Sequence, residues 1–173
     1  MISVRTFIAI DIPENIKKEI IKIQEALPEF IGRKTESKNL HLTLKFLGEI
    51  DLEKIEKVKE KLREIKFKSF EVEIDKLGFF DSRKSRIYDN RLIVWLHITN
   101  CEELQKEIDE RLSQLLENEN RFMSHLTIAR VKKIKDKDKF LNQLEKIKLN
   151  KISFKIKEFK LKKSILNKKG LVY

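Results

Sequence analysis

The sequence predicts an α+β fold of two pseudo-symmetric lobes, each an antiparallel sheet flanked by helices, around a central groove. Three observations lead there. A tetrapeptide of pattern His-apolar-Thr-apolar occurs twice, as His41-Leu42-Thr43-Leu44 and as His125-Leu126-Thr127-Ile128. Strand-like and helix-like periodicities run in the same order around both copies: strand, helix, motif strand, helix, strand. The spacing repeats too, with Arg5 preceding His41 by 36 positions (41 − 5) and Arg91 preceding His125 by 34 (125 − 91). An internal duplication follows as an expectation, about 1–80 and 91–166, within one bilobal domain 1–173 whose halves are joined by a loop at 81–90.

The elements follow in order. Val4 to Ile10 reads as a strand, and Pro13 suits the first turn of a helix with Asp11 or Ile12 near its cap. Ile16, Ile20, Ile23 and Leu27 recur at helical spacing, and Pro28 stops the run. A polar passage with Gly32 leads to the first motif strand, which Gly48 is expected to end. Asp51 caps a second helix whose buried stripe is Leu52, Ile55, Val58, Leu62 and Ile65. Phe70, Val72 and Ile74 alternate with acidic residues, predicting a half-exposed strand that ends near Gly78. In the second half, Arg91 to Ile98 is an apolar strand containing Trp95, and Leu104, Ile108, Leu112 and Leu115 mark a helix. The second motif strand runs to Arg130, and a helix with Phe140, Leu141 and Leu144 comes next. Ile152, Phe154 and Ile156 alternate, then the apolar register shifts to Phe159 and Leu161, which predicts a bulge or break near Lys157 and Glu158.

Composition excludes several classes. At 173 residues and 40% hydrophobic, the chain can bury a core despite its charge. No stretch approaches the roughly 20 apolar residues of a membrane helix. The opening MISVRTFIAIDIPEN lacks the features of a signal peptide. Cys101 is the single cysteine, so no internal disulfide or cysteine metal site is expected, and a cytoplasmic location follows. The charge of +11, from 39 Lys and Arg against 28 Asp and Glu, favours a polyanionic partner, nucleic acid above all. A lysine-rich composition mixed with Ile, Glu and Asn is the plainer source of the same surplus.

The motifs suggest chemistry. On a strand, residues two apart share a face, so His41 and Thr43 project together while Leu42 and Leu44 enter the core, and the second copy does likewise. One such pair is weak evidence, but two of the chain's three histidines fall in it. Two imidazoles opposed across a basic groove suit in-line displacement at phosphorus, one taking a proton from water and the other giving one to the leaving oxygen. The threonines can donate to non-bridging oxygens. Strict alternation puts Arg130 on the opposite face from His125, so it reaches the groove to clamp phosphate only if the strand ends or twists. His97, in the apolar VWLHITN, reads as a structural histidine with a hydrogen-bonded ring. No third ligand for a zinc site and no GxxxxGK[ST] loop is present, so neither metal nor nucleotide cofactor is expected.

The segments HLTLKFLGE and HLTIARVKK, the opening RTFIAIDIP and the ending LKKSILNKKGLVY resemble the 2H phosphoesterase superfamily. Within it they look like the RNA 2′,3′-cyclic phosphodiesterase (2′-5′ RNA ligase, LigT-like) branch. The resemblance implies hydrolysis of RNA 2′,3′-cyclic phosphate ends to 2′-phosphates without metal or ATP, and a reverse 2′-5′ joining activity. It points to His41 as proton donor toward O3′ and to His125 as proton acceptor from water. Thr43, Thr127 and Arg130 match its phosphate-binding positions. Geometry read from sequence alone does not assign acid and base between two near-equivalent lobes. Ser124 stands where that family usually carries proline, and the residues before His41 lack its usual Trp or Pro. The implied partner is RNA with a cyclic phosphate end, tRNA halves being one candidate source, taken by a monomer. The Lys-rich stretch from Lys132 to Lys169 is expected to aid RNA capture. The alternatives are an RNA-end binding module without turnover and a related enzyme acting on a small cyclic nucleotide.

Overall fold

The computed structural model describes residues 3–81, 92–167 and 170–172. In chain order the elements are β1 (Ser3–Asp11), α1 (Glu14–Glu25), β2 (Ile31–Lys34), β3 (His41–Asp51), α2 (Leu52–Arg63), β4 (Phe70–Asp81), β5 (Leu92–Ile98), α3 (Glu102–Leu112), β6 (His125–Lys133), α4 (Lys137–Glu145), β7 (Ile152–Ile156), β8 (Lys160–Lys163), β9 (Ile165–Asn167) and β10 (Gly170–Val172). They form an α+β fold with two main antiparallel sheets, ordered β3-β1-β8 and β2-β6-β5-β4-β7, and a separate antiparallel pair of β9 with β10. The predicted strand at 4–10 and the four helices are all present. The expected loop at 81–90 falls outside the described residues save for Asp81, which closes β4, and Arg91 lies outside them too.

The two sheets exchange strands. β4 follows α2 in the first half of the chain, yet it pairs with β5 and β7. β8 closes the second half and pairs with β1. Between them, β4 and β7 run antiparallel through the opposed residues Val72 and Phe154. The pairings correspond across this seam: Phe7 faces Lys162 in one sheet as Ile93 faces Phe80 in the other. The register shift expected near Lys157 is thus a strand break, at which the chain leaves one sheet as β7 and enters the other as β8. Helices cross over as well, α1 packing on β6 and β7 and α3 on β3. One core of aliphatic side chains runs through both sheets. Its members Leu42, Leu44, Leu126 and Ile128 are all essentially inaccessible. Burying each such side chain stabilises by about 1.5–3 kcal/mol.

Several local expectations change. Gly48 does not end the first motif strand; it sits inside β3 at φ 74°, where only glycine is unstrained, and β3 continues to Asp51. Gly78 likewise lies within β4, opposite Trp95, where a Cβ would come within 2.3 Å of the indole ring. The passage containing Gly32 forms the edge strand β2, paired to β6. Leu52 starts α2 but is 57% exposed, so the buried stripe of that helix begins at Ile55. Asp51 caps α2 as expected, its Oδ1 accepting from Lys54 N at 2.8 Å. Asp11 is no helix cap; it ends β1 and accepts from Lys162 at 2.5 Å and Lys160 at 3.0 Å. Pro13 takes the N-cap of α1, and Leu115 lies just beyond α3. Among the described residues no helix is long and apolar enough to cross a membrane.

Candidate active site

The motif strands β3 and β6 come together at the junction of the two sheets and border a cavity of about 450 Å³. His41, Thr43, His125, Thr127 and Arg130 all line it. The histidine–threonine pairs do so by strand alternation, half-buried beside the fully buried Leu42, Leu126 and Ile128.

Arg130 gets there another way. Between the pairs Trp95–Thr127 and Val94–Ala129, β6 carries one extra residue, Ile128. This bulge buries Ile128 and Ala129 side by side and turns Arg130 to the face shared by His125 and Thr127. The strand neither ends nor merely twists: Arg130 stays paired with Ile93 on one side and Arg33 on the other. Gln24 of α1 caps the bulge, its Nε2 donating to Ile128 O at 2.8 Å and to Thr35 O at 2.9 Å. Thr35 N also donates to Ile128 O at 2.8 Å.

The first motif carries the same bulge, at Leu44 between the pairs Ala9–Thr43 and Ile8–Lys45. Its consequences differ. The residue matching Arg130 is Phe46, which lines the cavity and is 73% exposed. The bulge also turns Lys45 inward, to a buried ion pair with Asp109 and a 2.6 Å bond to Glu117 O. Asp109 further accepts from Gln105 at 3.0 Å and Glu119 N at 2.8 Å. That network ties the first motif strand to α3 and to the loop that enters His125.

Both imidazoles are oriented identically. His41 Nδ1 lies 2.7 Å from Asn39 O, and His125 Nδ1 lies 2.7 Å from Met123 O. A carbonyl only accepts, so Nδ1 carries the proton in each ring and Nε2 the lone pair. Phe7 packs against His41 at 5.0 Å, and Phe80 meets His125 edge-on at 5.1 Å. Phe80 in turn rests on Trp95, whose ring occupies the space above Gly78. Burial pushes His41 down to about 4; the Asn39 carbonyl opposes this, Lys162 adds to it, Asp11 opposes and Arg130 adds. Burial also lowers His125, against the Met123 carbonyl and with Arg130. Burial favours a neutral Asp11, but bonds from Lys162 and Lys160 outweigh it and hold the carboxyl below its usual range.

Sequence reasoning missed Arg5, Arg33, Lys34, Phe46 and Phe80 of the lining. His97 stands directly across the ladder from His125, with Nδ1 2.6 Å from Asp75 Oδ1. Its ring is hydrogen-bonded, as expected, but half-exposed rather than in the core. Ser124 is fully buried just before His125. The Cys101 thiol is buried and pushed up to about 12, chiefly by desolvation, so it is inert. Among the described residues no group of three His, Cys, Asp or Glu side chains could share a metal ion.

A family model, LigT-like phosphoesterase, matches residues 10–88 and 97–173. The chain is 38% identical over 171 residues to the RNA 2′,3′-cyclic phosphodiesterase of Methanocaldococcus jannaschii, covering 98% of this chain and 96% of that one. It is 35% identical to the protein of the same description in Thermotoga maritima, covering 98% and 91%. Among solved structures it matches Escherichia coli LigT complexed with 3′-AMP at TM-score 0.77 and 25% identity, covering 99% and 94%. TT0787 of Thermus thermophilus, at TM-score 0.76 and 22% identity over 98% and 93%, shares the fold. With paired His-x-Thr strands bordering one cavity and matches over nearly its whole length, the chain belongs to the LigT-like phosphoesterases of the 2H superfamily.

Proposed function

We propose that the protein hydrolyses RNA 2′,3′-cyclic phosphate ends to 2′-phosphomonoesters by two-histidine acid–base catalysis, with neither metal nor nucleotide cofactor. The observation that carries this reading is the matched pair of Nδ1-protonated imidazoles lining one cavity, each beside a threonine. The descriptions of the M. jannaschii and T. maritima relatives support the substrate class.

In the proposed reaction Nε2 of His125 takes a proton from water as its oxygen bonds to phosphorus. The P–O3′ bond breaks, and Nε2 of His41 gives its proton to O3′. Thr43, Thr127 and Arg130 donate to the non-bridging oxygens, where charge concentrates. The division of labour is the one the family resemblance implies; burial and Arg130 act against a charge on both rings, and the charge of the anionic substrate draws from solvent the proton that His41 then donates. A 5′-hydroxyl seated in place of water would give 2′-5′ joining by the same displacement. tRNA halves with cyclic ends belong to this substrate class. A module that only held phosphate would have no use for two imidazoles fixed in one tautomer.

The test is an RNA oligomer ending in a 2′,3′-cyclic phosphate, incubated with the protein in excess EDTA. Expected is turnover equal to that without chelator and a product bearing only a 2′-phosphate. A 3′-phosphate product, or activity lost to EDTA and restored by one divalent ion, would overturn the proposal.

A further inference from the structure

We infer that Arg33 holds the internucleotide phosphate immediately upstream of the cyclic one, so that the site is built for an RNA strand rather than a cyclic mononucleotide. This rests on the cyclic-phosphodiester reading above.

β2 has little reason to exist as a core element. All four of its residues are exposed, and it lies at the edge of its sheet. Yet it is docked closely. A Cβ on Gly32 would come within 2.2 Å of Arg130 O, so only glycine allows β2 this near to β6. Beyond its end, Thr35 is fastened by its own N–H to Ile128 O and by Gln24 to its carbonyl. What this docking delivers is charge. Arg33 stands directly opposite Arg130 in the ladder, and both line the cavity with Lys34.

Directly opposed residues of an antiparallel pair share a face, and like charges there are destabilising. Among the described residues no carboxylate lies within ion-pair distance of Arg33. Glu36, the acid that lines the same cavity, sits 2.9 Å from Lys38. Arg33, set beside a second guanidinium and with no carboxylate at hand, is suited to a negative charge brought by the ligand itself. With Arg130 on the cyclic phosphate, the second charge is the next phosphodiester along the strand, and the exposed β2 is where that strand leaves the cavity. The Lys-rich stretch expected to capture RNA contributes none of its described lysines to the cavity lining, and of the lining cations beyond Arg130, Arg5 pairs with Glu49 at 3.6 Å, which leaves Arg33 and Lys34 of β2 for the upstream strand.

The experiment compares three substrates: 2′,3′-cyclic AMP, the dinucleotide ApA with a 2′,3′-cyclic end, and that dinucleotide with a neutral methylphosphonate linkage. In Arg33→Gln, KM for the charged dinucleotide should rise roughly 10-fold, as for loss of one charge-assisted bond, while KM for cyclic AMP and kcat for both stay level. The wild-type protein should handle the methylphosphonate as Arg33→Gln handles the charged dinucleotide, and the variant should lose nothing more on it. An equal rise for cyclic AMP would overturn the inference by placing Arg33 at the cyclic phosphate or in the fold. No rise for the dinucleotide would overturn it by making Arg33 a solvated side chain. Failure of the wild-type protein to open any cyclic substrate would sink the phosphodiesterase reading itself, and this inference with it.

Discussion

His41→Ala and His125→Ala should each lower kcat on the order of 10²–10⁴-fold, as for removal of a general acid or base. The double variant should lose little beyond the worse single one. Acid and base act on the same phosphorus in one step, so removing either leaves the other without a concerted partner, and the two losses do not multiply. The variants should stay folded. Each side chain is half-buried at the cavity wall and is anchored by a bond to a backbone carbonyl two residues earlier. Losing such a bond costs about 0.5–1.5 kcal/mol. Thermal unfolding beside steady-state rates separates the two effects. Wild-type turnover in either single variant would refute the acid–base assignment.

Arg130→Ala should cost about 10²–10³-fold in kcat/KM, the scale for losing a preorganised donor to a charged transition state. The bulge makes a sharper prediction. Gln24 touches no cavity residue's charge, yet together with Thr35 N it holds the Ile128 carbonyl at the bulge. Gln24→Leu should let β6 relax toward regular pairing and displace the guanidinium, lowering kcat/KM between about 10- and 100-fold. In an Arg130→Ala background the same change should cost almost nothing further. A structural role alone would cost the same in both backgrounds, and Gln24→Met, closer in volume, guards against a packing artefact. Full additivity of Gln24→Leu and Arg130→Ala contradicts the bulge as the device that aims Arg130.

The contrast between Arg130 and the two histidine–threonine pairs shows what the sequence could and could not reveal. Alternation of period two put His41 with Thr43 and His125 with Thr127, because no irregularity falls between them. Arg130 lies past a bulge, and there the same rule gave the wrong face. The adjacent apolar pair Ile128–Ala129 was a legible sign of it, since on a strand with one side open to the cavity strict alternation buries only one of two neighbours. Its counterpart Leu44–Lys45 hid the sign, because a lysine in that place reads as solvent-facing until Asp109 is brought to it. Element order was legible too, since each helix and strand carries its own periodicity. Which sheet a strand joins was not: β8 pairs with β1 and β4 with β7, partners remote in sequence. Gly78 read as a stop because glycine usually breaks strands, whereas here it makes room for Trp95. β2 has no apolar alternation at all and is held by backbone and by Gln24, so nothing in its own four residues announces a strand.

Both imidazoles are held to be neutral and Nδ1-protonated in the free protein, and the charge of a bound phosphate to draw from solvent the proton that one of them then donates. Long-range ¹H–¹⁵N spectra of the histidine rings at pH 7, without ligand and with a 2′-nucleotide, address it directly. Both pKa values are lowered from 6.5 by burial, so both rings are uncharged at neutral pH. An anion beside them favours the charged form and raises those values again. The account predicts Nδ1–H tautomers for His41 and His125 in the free protein, and conversion of His41 to imidazolium with proton uptake on binding. An Nε2–H tautomer at either ring, or binding with no change of protonation at both, would contradict it.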